Sequence, residues 1–215
     1  MKSPRNIALV LVLTCLSLTA CGSKSQDVSD YSVTTDLSGL VQDETALPTR
    51  LYTRPGAPEL AVYDSFIVDP VEFNYQDANM QTLSLEKVAR MQTYLRNQVM
   101  KELIIAGYDI VTQPRPNTMR ISFTVSGLSA PSPVPNALGP LTSVPVAISV
   151  GVVTVEAAFS DAQTGRIDAV ALDRARGSRV FNASPWSTWA DIEDIFDTWA
   201  ENISFAVKVS KALAQ

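Results

Sequence analysis

Two carboxylates, Glu156 and Asp173, are the side chains of this 215-residue sequence whose types and spacing come nearest to a catalytic pair. The sequence predicts that they lie on two neighbouring strands. Such a placement allows the separation of about 5 to 9.5 Å at which glycoside hydrolases hold their two carboxyl groups. Strand carboxylates more often pair with an arginine on a polar sheet face, and Arg120 is such a partner. We therefore favour a polar, non-catalytic face, and keep a glycan hydrolase as the alternative.

The composition removes most other chemistry. The chain contains no histidine, so triads that need an imidazole are excluded and the commonest general base and metal ligand are missing. Ser178 and Thr188 have no evident activating base, and no glycine-rich phosphate loop is present. The acidic residues between 191 and 197 lack the spacing of a calcium loop and suit the start of a helix. We expect no enzyme, no metal and no cofactor.

Net charge and hydrophobic content exclude two further classes of protein. A formal net charge of -5 with an isoelectric point near 4.8 lacks the basic footprint of a nucleic-acid-binding protein. A content of 46% hydrophobic and 18% charged residues is typical of one globular domain and not of a disordered chain.

The amino-terminal segment predicts export and lipid attachment. Lys2 and Arg5 precede an apolar run over 7–18, which is too short to stay in a membrane as a span and reads as a signal peptide over 1–20. The sequence Leu18-Thr-Ala-Cys21 that follows resembles the lipobox of bacterial lipoproteins, and this resemblance implies cleavage before Cys21 and acylation of that residue. The alternative is an ordinary signal peptide with an accidental cysteine, as Cys15 illustrates.

The resemblance to lipoproteins also implies a location. Several acyl chains on Cys21 hold a protein stably at a membrane without a transmembrane helix. Gly22 and Ser23, in place of an aspartate after the cysteine, resemble the cargo of the outer membrane. We expect a lipid anchor in the inner leaflet of the outer membrane, with the domain facing the periplasm. We expect no disulfide, since Cys15 leaves with the signal peptide and Cys21 is lipidated.

The mature chain divides into a lead-in and one domain. Residues 21–59 are rich in small and polar residues without a sustained period, which is typical of a tether and lead-in that packs only in part. The domain over 60–215 begins with a β-branched strand at 60–68. It continues with a helix that starts after Ser84 and ends at Gly107.

Strands and a last helix complete the predicted domain. Alternation over 119–125 predicts a half-buried strand, and a hairpin follows at 151–160 and 166–175, with Asp161 facing Arg166 across the turn. In this register Val155 lies opposite Leu172, Ala157 opposite Val170, Glu156 opposite Ala171, Thr154 opposite Asp173 and Ala158 opposite Ala169. A terminal helix carries an apolar stripe. The fold class is a two-layer α+β sandwich, with a mostly antiparallel sheet of four to six strands and two long helices on one face.

The predicted sheet leaves one face uncovered. Arg120, Glu156 and Asp173 should share it with Ala169 and Ala171, as a candidate interaction face for an envelope protein. A merely solvated face is the alternative, and the proline-rich loop over 130–145 is the next candidate for an interface.

The order of the segments resembles a bacterial lipoprotein family known as domain of unknown function 3313. The residues that carry the resemblance are Gly107-Tyr108, the strand around Arg120, Val155-Glu-Ala157, Asp161-Ala-Gln-Thr-Gly165, Leu172-Asp-Arg174, and Trp189-Ala-Asp191 leading to Phe196 and Trp199-Ala200. The resemblance implies an envelope lipoprotein of unassigned role and supplies no catalytic residue. We expect a non-catalytic binding or assembly module; the alternative is a hydrolase of envelope glycans.

Overall fold

The computed structural model describes residues 33–46, 49–74, 84–127, 152–176 and 190–213. Two long helices are present in this part of the chain, α1 over Leu85–Ile105 and α2 over Ala190–Leu213, with a short 3-10 helix at Leu60–Val62. The strands are β1 Val41–Asp43, β2 Arg50–Thr53, β3 Ser65–Val68, β4 Glu72–Phe73, β5 Asp109–Ile110, β6 Thr118–Ser126, β7 Val152–Asp161 and β8 Ile167–Arg176. Neither of the described long helices is apolar enough over its length to cross a membrane.

All eight strands form one mixed sheet. Its order is β1-β2-β8-β7-β6-β3-β5, and β4 pairs with the far end of β6. The pairs β1–β2, β2–β8, β8–β7 and β7–β6 are antiparallel. The pairs β6–β3, β3–β5 and β6–β4 are parallel. The α+β class is confirmed, but the expected four to six mostly antiparallel strands are too few. The strands that the sequence did not predict, β1, β2 and β4, have two to four residues and are too short to show an alternating pattern.

Helix α1 begins and ends as predicted. The Ser84 side chain accepts a hydrogen bond from the Lys87 amide at 3.4 Å, and Gly107 follows the helix with a φ of 88°. The apolar stripe on its buried side consists of Val88, Met91, Leu95, Val99 and Leu103. Leu85, which the spacing also places on that stripe, is the first residue of α1 and is exposed.

Both helices pack on the same face of the sheet and run parallel to each other. Tyr94 on α1 bonds the carboxylate of Asp197 on α2, and further along Ser204 donates to the Glu102 carbonyl at 3.1 Å. Apolar side chains of both helices and of β3, β6 and β7 form one core between the helices and the sheet, which includes Phe66, Phe123 and Phe196. We call this side of the sheet the helix face and the other side the outer face.

The hairpin of β7 and β8 follows the predicted turn but not the predicted register. The Asp161 amide donates to the Arg166 carbonyl at 3.0 Å, as expected for residues that face each other across the turn. A β-bulge follows, because Ser160 lies opposite Ile167 whereas Phe159 lies opposite Ala169. Asp168 is therefore an extra residue in β8.

The bulge reverses the faces of β8 beyond it. Val155 lies opposite Asp173, Glu156 opposite Leu172 and Ala157 opposite Ala171, so the predicted pairs, all one residue out, are wrong. A shift of one residue moves every side chain of the strand to the other side of the sheet.

The lead-in contributes to the sheet. β1 and β2 lie within 21–59, and β2 pairs with β8 over four residues, from Arg50 opposite Leu172 to Thr53 opposite Ala169. The predicted strand at 60–68 is shorter than expected, because Leu60–Val62 forms a 3-10 helix and only Ser65–Val68 is extended. The lipidation candidate Cys21 and the proline-rich loop at 130–145 lie outside the described residues.

Candidate functional site

The bulge separates the residues of the predicted interaction face. Arg120 and Glu156 are on the outer face, since they alternate with the core residues Ile121 and Val155 on their strands. Asp173 is opposite Val155 and points to the helix face. The expectation that the three share one face is therefore wrong for Asp173. It is also wrong for Ala169 and Ala171, which lie opposite Phe159 and Ala157, and the reason is the extra residue in β8.

Asp173 serves the packing of α2. Its carboxylate accepts a hydrogen bond of 2.7 Å from the indole nitrogen of Trp199. Trp199 is buried and contacts Phe196, with ring centroids 5.6 Å apart. Glu156 and Asp173 thus lie on opposite sides of the sheet and cannot act as the acid and base of one glycosidic bond.

Glu156 is buried and fully engaged by the lead-in. The residue is 5% exposed, and its carboxylate accepts hydrogen bonds from the amides of Thr34 and Thr35 at 2.7 and 2.9 Å. The hydroxyl groups of the same two threonines also donate to it. Hydrogen bonds to an ionised group are about twice as strong as neutral ones. The carboxylate therefore holds a segment that is 121 residues away in sequence.

Residues 33–40, here called the strap, cross the outer face beside Glu156. The apolar side chains of the strap pack on a small core of the outer face that is separate from the helix-side core. The strap residues are Val33, Leu37 and Leu40, and the buried residues of the small core are Tyr52, Val170 and Leu172. The outer face of β2, β7 and β8 is thereby covered, although the sequence predicted this face to be open.

The part of the outer face along β6 stays more open. Arg120 lies 3.6 Å from the carboxylate of Asp69, and the Ser122 hydroxyl donates to the same carboxylate at 2.7 Å. The Arg120 side chain is 39% exposed. This half-exposed group of polar side chains is what the structure retains of the predicted interaction face.

The bulge residue Asp168 is held by a polar cluster. Its carboxylate accepts hydrogen bonds from the Tyr63 hydroxyl at 3.0 Å and from the Arg166 side chain at 2.7 Å. Its carbonyl accepts from the Arg54 amide at 2.8 Å. Burial, and then the hydrogen bond to Asp168, raise the pKa of Tyr63 to about 12. The cluster fixes the position of the bulge, and its neutral phenol is not a general base near neutral pH.

Two acidic residues near the start of α2 have structural partners. Glu193 pairs with Arg90 of α1 at 2.8 Å, and Asp197 accepts from Tyr94 at 3.0 Å. Across the described ranges, no three potential metal ligands come together. An open groove of about 560 Å³ runs beside α1. Its lining residues are Ala89, Arg90, Thr93, Tyr94, Asn97 and Gln98, which include no carboxylate and no nucleophile with a base.

Sequence reasoning missed Thr34, Thr35 and Asp168. The threonines stand in a segment without periodicity, and nothing in their type identifies a partner as distant as Glu156. Asp168 interrupts the apolar alternation of β8 between Ile167 and Val170. A charged residue at an inward position is a signal that could have suggested a bulge.

Comparisons with known proteins give a family. A family model described as "Protein of unknown function (DUF3313)" matches residues 25–203. No curated protein matches the chain. Among solved structures, the PelC dodecamer from Paraburkholderia phytofirmans is similar with 12% identity and a TM-score of 0.47, over 74% of this chain and 96% of that one.

Two other solved structures are similar at a comparable level. A minor lipoprotein from Acinetobacter baumannii shows 11% identity and a TM-score of 0.35, over 69% of this chain and 94% of that one. Protein XCC0632 from Xanthomonas campestris, of family DUF330, shows 9% identity and a TM-score of 0.43, over 76% and 94%. At these values the similarity assigns no activity to this chain.

Proposed function

We propose a non-catalytic role in the bacterial envelope for this chain, which belongs to the DUF3313 family of proteins of unknown function. In this proposal Cys21 carries the lipid, and the domain binds or assembles with another envelope component. The anchor lies in the inner leaflet of the outer membrane, and the domain faces the periplasm.

The observation that supports the proposal is that the carboxylate of Glu156 binds the strap. This carboxylate, one half of the only catalytic pair that the sequence suggested, is saturated by the strap and has its intended partner Asp173 on the other side of the sheet. Its hydrogen bonds fasten the chain just after the proposed anchor, since only eleven residues lie between Cys21 and Val33. A segment of that length spans at most about 40 Å. The arrangement suits a domain held near a membrane better than a hydrolase.

A pair of cysteine variants tests the anchor. We expect Cys21→Ser to leave an uncut precursor that incorporates no labelled fatty acid, because the thioether is formed at that sulfur. Cys15→Ser is the matched control and should be processed and lipidated as the parent chain is. Labelling with palmitate and membrane fractionation give the readout. An unchanged lipid-labelled band for Cys21→Ser would overturn the proposal.

The choice of membrane has its own test. We expect the parent chain to sediment with outer membranes, and Gly22→Asp to move it to inner membranes, since aspartate after the cysteine favours retention there. Separation of the two membranes on a density gradient decides between them. A parent chain found in inner membranes would contradict the location without affecting the anchor.

A crosslinking experiment tests whether the open part of the outer face binds the partner. A photocrosslinking residue at Arg120 should capture an envelope protein in intact cells, whereas one at exposed Leu85 on α1 serves as the control. Mass spectrometry of the adducts identifies the partner. Identical adducts from both positions would show that this face is not the interface.

A further inference from the structure

The carboxyl-terminal ends of the two helices expose large apolar side chains. In the described part of the chain eight large apolar residues are exposed, and five of them lie in these last turns. The five are Ile104 at 58% exposure, Ile105 at 62%, Phe205 at 66%, Val209 at 37% and Leu213 at 83%. We call them the helix-end patch. Single exposed apolar residues are ordinary, but a group of this kind marks a binding surface.

Direct contacts bring the two helix ends together. The Ser204 hydroxyl of α2 bonds the Glu102 carbonyl of α1, immediately before the exposed residues of both helices. Beyond α1, the Tyr108 hydroxyl donates to the Val207 carbonyl at 3.3 Å. Phe205, Val209 and Leu213 follow one another at intervals of four, so they form one stripe along α2.

The charge around the patch is basic, although the chain as a whole is acidic. Lys208 and Lys211 lie among the exposed residues of α2, and the sequence contains no acidic residue after Glu201. The carboxylate of Glu102 on α1 has Lys101 at 3.6 Å. Apolar side chains flanked by lysine are the pattern of a helix that lies on an anionic lipid surface. A symmetric contact with a second copy would instead bring these lysines against their own equivalents.

The length of the tether allows the patch to reach the bilayer. The bond from Trp199 to Asp173 places that turn of α2 level with the part of the hairpin that holds Glu156 and the start of the strap. Leu213 lies fourteen residues further on, which is about 21 Å along a helix. The eleven residues between Cys21 and Val33 reach up to about 40 Å.

We propose that the helix-end patch docks on the anionic phospholipid surface of the membrane in which Cys21 is anchored. The apolar stripe enters the headgroup region and Lys208 contacts the phosphates. Lys211, whose ammonium nitrogen lies 5.1 Å from the centroid of the Tyr108 ring, adds a second positive charge at this end of α2. The lipid anchor supplies the proximity, so this inference rests on the proposed function. Docking at a second point would fix the orientation of the domain and present the opposite end of the helices to the periplasm.

Spin labels on the full lipidated chain test the docking. A nitroxide at Phe205→Cys reports on the patch, and one at Leu85→Cys, which is 76% exposed at the start of α1, is the matched control. The lipidated Cys21 does not react with the label. The proteins are reconstituted in vesicles of phosphatidylethanolamine with phosphatidylglycerol, or of phosphatidylcholine alone. Collision with oxygen and with a water-soluble nickel chelate measures the depth of each label.

We expect the label at 205 to be membrane-immersed in the anionic vesicles and the label at 85 to stay aqueous. Lys208→Gln with Lys211→Gln should lower the ratio of immersed to aqueous label about thirty-fold, because each lysine near such a surface contributes about 1 kcal/mol. Phosphatidylcholine vesicles should give a similar loss.

Two results would overturn the inference. One is a label at 205 that stays aqueous on a chain whose Cys21 is shown by mass spectrometry to be lipidated, in which case the anchor stands and the docking does not. The other is broadening between labels in detergent without lipid, which would show that a second copy covers the patch. An immersed label on a chain without lipid at Cys21 would support the docking and contradict the anchor.

Discussion

The two faces of the sheet are covered by different means. On the helix face, two helices of 21 and 24 residues bury a continuous apolar core that includes Phe66, Phe123 and Phe196. On the outer face, a strap of eight residues covers a core that has three buried side chains among the described residues, and it is held by the carboxylate of Glu156. The first covering depends on buried area, and the second on a few directed hydrogen bonds.

The difference shows where stability and where local order are decided. Loss of apolar area on the helix face destabilises the whole domain, because the core is shared by every large element. Loss of the hydrogen bonds on the outer face acts first on the strap, since a short segment with few buried contacts opens at less than the free energy of global unfolding. The variants below separate these two responses.

Removal of Trp199 should have the largest effect. Trp199→Ala leaves a cavity beside Phe196 and takes the indole donor from Asp173, so we expect the free energy of unfolding to fall by about 3 to 5 kcal/mol. Urea denaturation followed by circular dichroism measures this change.

Trp199→Phe is the control for the packing part of that loss. It keeps most of the ring volume and removes the hydrogen bond to Asp173, so a smaller loss of about 1 kcal/mol is expected. A loss below about 1 kcal/mol for Trp199→Ala would mean that the helix face does not depend on this side chain.

Substitution of Glu156 should release the strap. Glu156→Gln replaces one acceptor oxygen by an amide donor that meets the donor groups of Thr34 and Thr35. We expect the free energy of unfolding to fall by about 1.5 to 3 kcal/mol, which is the usual range for hydrogen bonds to a charged group. Hydrogen exchange of the strap amides should accelerate more than that of the α1 amides, and mass spectrometry of peptides from both regions measures the contrast.

Glu201→Gln is the matched control, because Glu201 is exposed on α2. It should change neither the free energy of unfolding nor the exchange of the strap. Uniform acceleration of exchange across the chain in Glu156→Gln would show that the strap belongs to the same cooperative unit as the helix face.

The helix face was largely predictable from the sequence. The spacing of Val88, Leu95 and Val99 indicates the buried side of α1, and the alternation around Phe123 indicates that of β6. Both follow from the period of a regular element, which is a local property of the chain. The full number of strands was not predictable, because β1 and β4 have only two or three residues.

The outer face was not predictable for two physical reasons. One extra residue at Asp168 reverses the faces of β8, and its position depends on Tyr63, which is 105 residues away. The strap has no period, so its contact with Glu156 exists only in the folded chain. Long-range polar contacts of this kind leave no local pattern in a single sequence.

The bulge between the two faces gives an intermediate effect. Tyr63→Phe removes one hydrogen bond from the carboxylate of Asp168, which keeps Arg166, so we expect a loss of about 1 kcal/mol near neutral pH. The pKa of Tyr63 is raised from 10.0 to about 12, so its stabilisation is present below pH 10 and is lost as the pH rises towards 12. The difference between parent and variant in urea melts should therefore shrink over that interval. A constant difference would contradict the role given to the phenol.

The smallest effect should come from Asp161, whose chemistry resembles that of Glu156. Its carboxylate accepts from the amide and hydroxyl of Thr164 and from the Gln163 amide, but these partners are local and exposed to solvent. The Thr164 bonds lower the pKa of Asp161 below 3.8, so the stabilisation is present above about pH 4 and disappears as the pH falls through the lowered value. We expect Asp161→Asn to lose less than about 1 kcal/mol at pH 7, because water screens an exposed charge, and the difference from the parent to vanish in acid. A loss at pH 7 as large as that of Glu156→Gln would show that burial and sequence separation do not distinguish the two carboxylates.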